Sequence, residues 1–127
     1  MTRPAGYTGK LAMTLVTLVI LPSISGAVGT RELPPLWGYG IKTCAQFLSV
    51  AEGDEKGEDK MVLEYGRYED WLTGFVSGLN LATGEDVLRG ADIKAAMKHI
   101  RAHCRGHPKD DFFAATMDFV RMLSSLH

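Results

Sequence analysis

After residue 40 the apolar positions recur at helical spacing, and the breaks between the runs predict four helices. The first starts at Thr43, whose hydroxyl can cap it, with Gln46 three residues on as a capping box requires. Cys44, Phe47 and Leu48 then share one face. Glu52 to Lys60 contains no apolar residue and reads as a solvated loop without the ligand spacing of a calcium loop. The second helix, roughly 61–81, carries the widest apolar face. Leu72, Val76 and Leu79 form one stripe, and Tyr68, Trp71 and Phe75 the adjoining one. Gly74 and Gly78 interrupt it at a cost of up to about 1 kcal/mol each, which predicts close approach of another helix or an aromatic ring. A membrane dimer motif shares this glycine spacing, but Glu69, Asp70 and Asn80 argue against a span. Thr83 to Gly90 is a turn region. Asp92 caps a third helix that runs to about Cys104, with Ile93, Met97, Ile100 and Cys104 on its buried face. Gly106 is placed to end it in a left-handed turn, and Pro108 to prevent its continuation. A fourth helix spans about Asp110 to Leu126, with Phe112, Phe113, Met117, Val120, Leu123 and Leu126 on more than one face. No strand alternation and no internal repeat appears, so residues 41–127 read as an all-α domain.

The pattern changes upstream. Pro34, Pro35, Gly38 and Gly40 make residues 28–40 an irregular arm, on which Trp37 and Tyr39 are expected to pack against the domain or a partner. Before it, Arg3 and Lys10 precede a largely apolar run from Leu11 to Leu21, followed by Pro22 and the small residues Ser23, Ser25, Gly26 and Ala27. This is the layout of a secretory signal peptide over residues 1–27, with cleavage after Ala27 or Gly29. The run is too short for a membrane span, which needs about 20 residues. The expected destination is the periplasm, with no stable membrane insertion after cleavage.

Export alters the charge only slightly. Losing Arg3 and Lys10 lowers Lys plus Arg from 14 to 12 against 15 acidic residues, and the formal charge from −1 to −3. That balance gives no footprint for nucleic acid. Acidification would turn the domain strongly positive. No nucleophile arrangement surrounds Ser77, Ser124 or Ser125, and no phosphate-cradling loop is present, so neither an enzyme nor a cofactor is expected.

Two side-chain sets carry chemistry. Cys44 and Cys104 are the only cysteines, and an even count in an exported chain points to a disulfide, with two free buried thiols as the alternative. His99 and His103 share a helical face, with His107 a turn further. That spacing can bind a transition metal, with Cys104 available only if it is unbridged. No H-E-x-x-H pattern or second ligand cluster accompanies it, so a solvated basic face is expected rather than a metal site. The three histidines are also candidate pH-responsive groups.

The succession Thr43-Cys44, Phe47-Leu48, Gly74-Phe75, Leu79-Asn80, Asp86-Val87, Gly90, Cys104 and Phe112 resembles the HdeA/HdeB family of small periplasmic acid-stress chaperones over about residues 43–120. The resemblance implies a helical fold closed by a Cys44–Cys104 bridge and a homodimer near neutral pH. It also implies acid-induced exposure of apolar surface that holds unfolding envelope clients, without cofactor or ATP. Trp71, Leu72, Phe75, Val76 and Leu79 are the candidate client or dimer surface, with plain monomer core as the alternative reading of the same residues. The proline-rich arm and the pair Gly74/Gly78 depart from the family, and the Tyr68–Asn80 and Cys104–Pro108 stretches look more like its uncharacterised exported relatives. An immunity protein that binds a type VI secretion toxin is the alternative from another class, and a generic envelope binding module a third.

Overall fold

Three of the four expected helices begin where a side chain closes their first turn. In the computed structural model, which describes residues 1–6, 9 and 34–126, these are α1 (Cys44–Glu55), α3 (Ile93–Gly106) and α4 (Phe112–Ser125). Thr43 Oγ1 accepts from the Gln46 amide at 3.2 Å while Gln46 Oε1 accepts from the Thr43 amide at 2.9 Å. Asp92 Oδ1 and Asp111 Oδ1 each accept an amide hydrogen bond at 2.7 Å, from Ala95 and Ala114. Such caps satisfy amides that the helix itself leaves unpaired. The remaining helix, α2 (Asp59–Thr83), has no side-chain cap at its start; it closes on Gly84, whose φ of 73° suits glycine and whose amide donates to the Asn80 carbonyl at 2.8 Å.

The chain divides into two units, Met1–Glu32 and Leu33–His127. In the first, the described residues carry no regular secondary structure. The apolar run 11–21 and both expected cleavage positions lie outside the described residues, as does the arm before Pro34. The second unit is all-helical: the described residues contain four α-helices and no strand, and Cys44 is bonded to Cys104 with Cα atoms 4.9 Å apart.

The core forms where α1, α2, α3 and α4 meet. Phe47, Tyr68, Leu72, Met97, Ile100 and Phe112 are its largest apolar members, and both cysteines are fully buried among them. Phe47, Tyr68 and Phe112 pack with ring centroids 4.9–5.0 Å apart. Their tilted and edge-on geometries suit aromatic quadrupoles. Burial, with the nearby Glu64 charge, pushes the Tyr68 phenol up to about 12. Among the described residues one polar side chain joins the core, Thr116, and its hydroxyl donates to the Phe112 carbonyl at 2.8 Å.

The α3–α4 turn is tied to the start of α1. The Cys44 amide donates to the Asp110 carbonyl at 2.7 Å, the Ala45 amide to the Pro108 carbonyl at 3.1 Å, and the Phe112 amide to the Lys42 carbonyl at 2.9 Å. Thr43 and Asp111 form an isolated antiparallel bridge at the same place. With the Thr43 cap, the first three amides of α1 are all paired, two of them by a remote segment.

Four local expectations are corrected. The span Glu52–Lys60 is mostly helix: α1 reaches Glu55 and α2 begins at Asp59. Polar sequence there marks solvated faces, and the buried Gly53 lets Met61 pack directly on its backbone. Among the described residues no helix or ring packs on Gly74 or Gly78; a Cβ at either would meet nothing within 4 Å. Gly106 does not end α3 in a left-handed turn. It is the last helical residue, and His107 (φ −135°) closes the helix through its amide to the Cys104 and His103 carbonyls. The described part of the arm carries a 3₁₀ turn, Gly38–Ile41. Gly40 makes it possible, because a Cβ there would collide with the Trp71 indole.

Candidate functional site

The arm and two helices enclose an apolar groove. Trp71 Nε1 donates to the Trp37 carbonyl at 3.0 Å, and the Tyr39 hydroxyl donates to Glu64 Oε1 at 2.9 Å. Tyr39 also packs edge-on against Tyr68, ring centroids 4.8 Å apart. Those contacts lay the arm along α2, while the Trp37 side chain stays 78% exposed. Beside them, Pro34, Leu36, Phe75, Leu79, Phe113 and Met117 line a groove of about 280 Å³ with apolar side chains alone. It adjoins a second hollow of about 420 Å³, bordered by Trp37, Asp70, Trp71 and Gly74, with Leu36 and Phe75 common to both. Trp71 and Phe75 stack between them, interplanar angle 5°. Gly74 therefore leaves open space at the surface.

The five α2 residues expected to form one apolar surface divide between two environments. Leu72 and Val76 belong to the buried core. Trp71, Phe75 and Leu79 are partly exposed, with Phe75 and Leu79 lining the groove. Phe113 and Met117 join them from α4, a convergence that helical periodicity cannot show because the residues belong to different elements.

A polar cluster lies at the C-terminal end of α3. Asp118 Oδ2, from α4, is 3.1 Å from His99 Nε2 and 3.3 Å from His103 Nδ1. His103 Nε2 is 2.9 Å from Asp110 Oδ2. His107 Nδ1 is 3.1 Å from the His103 carbonyl oxygen, and the His103 and His107 rings stack with centroids 4.4 Å apart. The hydrogen bond from His99, reinforced by His103, holds the Asp118 carboxyl below its usual range against a smaller desolvation effect. All three expected histidines thus fall in one network. Asp110 and Asp118 were not anticipated as its members. Asp110 has a local signal in the spacing His103-x3-His107-x2-Asp110, but Asp118 has none, since it reaches the histidines only by the packing of α4 on α3.

A separate ion pair joins α1 to α3. Arg101 donates to Glu55, holding that carboxyl below its usual range, chiefly through the hydrogen bond.

No family model, curated protein or solved structure matches this chain. Among the described residues no helix is long and apolar enough to cross a membrane.

Proposed function

We propose that this protein is an exported, non-enzymatic binding protein that holds apolar segments of unfolding envelope proteins under acid stress, as the HdeA/HdeB chaperones do. The observation that carries this is the groove of Pro34, Leu36, Phe75, Leu79, Phe113 and Met117, which offers apolar contact and no charged side chain. An unfolding client presents exposed apolar side chains, and burying them releases about 25 cal/mol per Å². The sequence resemblance and the buried disulfide support the same function.

Acid supplies the trigger. Carboxylates whose pKa is depressed in the folded state stabilise it above their unfolded pKa, and that stability is lost as pH falls through the folded value. With the carboxylates neutral, the remaining Lys, Arg and His charges repel one another. The Cys44–Cys104 bridge limits how far the loosened chain expands, so core residues such as Leu72 and Val76 become reachable alongside the groove. Near neutral pH the protein is a homodimer, which acid dissociates.

The test is suppression of client aggregation at pH 2–3, below roughly the carboxylate reference values, compared with pH 7. Suppression in acid, weakened by Phe75→Asp with Leu79→Asp, is expected. Equal failure at both pH values would sink the proposal.

A further inference from the structure

The polar cluster has a use that the groove does not touch. One ligand atom from each of His103, His107 and Asp110 can be chosen so that all three lie within 4.8 Å of one another. Borderline divalent ions such as Zn²⁺ take histidine and carboxylate ligands in tetrahedral geometry, at about 2.0–2.2 Å. Ligand atoms then stand roughly 3.3 Å apart. The contraction required is modest for side chains of which one, His107, is exposed and another, Asp110, only partly buried.

The facing acceptors limit which ring nitrogens are available. His103 Nδ1 faces Asp118 Oδ2 and its Nε2 faces Asp110 Oδ2; carboxylates only accept, so a neutral ring can donate to just one of them. His107 Nδ1 faces a carbonyl oxygen and must donate. In the neutral rings His107 Nε2 is then an unprotonated lone pair, and His103 Nε2 is one in the tautomer that donates Nδ1–H to Asp118. In that tautomer His103 Nε2 and the Asp110 carboxylate are two acceptors 2.9 Å apart that need a cation between them. A proton can fill that role, and so can a metal ion. Asp118 stands where an outer carboxylate orients a metal-bound histidine and raises its basicity.

The backbone supports the same assignment. The segment from His103 to Asp110 is fixed by the disulfide at Cys104 and by the amides of Cys44 and Ala45 on the Asp110 and Pro108 carbonyls. A ligand set on a fixed turn loses little freedom on binding. The C-terminal end of α3 adds partial negative charge.

We propose that His103 Nε2, His107 Nε2 and an Asp110 carboxylate oxygen form a binding site for a divalent transition ion of the Zn²⁺ type. Asp118 positions His103, and water completes the coordination on the exposed side. The site stands independently of the chaperone proposal.

The test is calorimetric titration of the disulfide-intact protein with Zn²⁺ at pH 7.5, alongside thermal unfolding with and without the ion. One equivalent should bind and raise Tm, and Ca²⁺ should not. His107→Ala, at an exposed position, should keep the native Tm without metal and weaken Zn²⁺ binding at least tenfold. Asp118→Asn should keep both ligating histidines and weaken it roughly 10–100-fold, the cost of losing a carboxylate that orients a metal ligand. Histidine NMR should show the Nε2 resonances of His103 and His107 perturbed by Zn²⁺ while His99 keeps its bond to Asp118. Zn²⁺ binding that is absent, or unchanged in His107→Ala, would overturn the assignment.

Discussion

The two sides of α4 face opposite chemistries. Phe113 and Met117 close an apolar groove against α2 and the arm, whereas Asp118, the next residue after Met117, gathers two histidines of α3. The groove is built by shape: ring stacking, a glycine gap and an arm laid against α2. The cluster is built by donor and acceptor matching on a turn that the backbone fixes. The first tolerates many occupants because dispersion and apolar burial are non-directional. The second admits only what fits its lone pairs. One helix thus separates a permissive surface from a selective one.

The strongest way to break that contrast is to cut the covalent tie beneath the polar side. Replacing both cysteines by Ser should lower stability by about 4 kcal/mol on the chain-entropy estimate for a closed loop of this length. Urea unfolding measures the loss. Hydrogen exchange should rise first at the start of α1 and in residues 106–111, before the groove residues of α2.

Gly40→Ala attacks the other side. Its Cβ would drive into the Trp71 indole, and overpacking of this kind costs about 1–3 kcal/mol. Tryptophan fluorescence should change and apolar dye binding should shift, while the histidine resonances of the cluster stay in place.

Glu55→Gln tests a charge outside both regions. Arg101 depresses the Glu55 carboxyl, so the pair stabilises the folded state above the ordinary glutamate range and loses that contribution as pH falls through the depressed value. The variant should unfold at lower urea than the parent at pH 7, with the gap closing in strong acid. A gap independent of pH would mean that the contact acts by packing alone.

The smallest effect is expected at Gly74. With nothing within 4 Å of a Cβ there, Gly74→Ala should stabilise α2 by up to about 1 kcal/mol and narrow the hollow beside Trp71. A rise in Tm with reduced apolar dye binding would sharpen the assignment of this glycine to the surface rather than to helix packing.

Much of the fold is legible in the sequence because its signals are local. Thr43 and Asp92 announce helix starts, and Met97, Ile100 and Cys104 announce the buried face of α3. The acidic stretch after Glu52 misleads because polar composition describes solvent exposure, which a helix shares with a loop. Gly106 misleads because the helix closes one residue later, on an amide bond from His107. The site is less legible. The three histidines are adjacent by periodicity, but Asp118 and the α4 half of the groove arrive through tertiary packing, which single-element spacing does not encode.

The amides of Cys44 and Ala45 depend on carbonyls at Asp110 and Pro108. On a growing chain those partners are synthesised only after α2 and α3 have been completed. The helix made earliest is therefore sealed at its beginning only after two later helices exist, and the thiol of Cys44 must wait for Cys104 over the same interval.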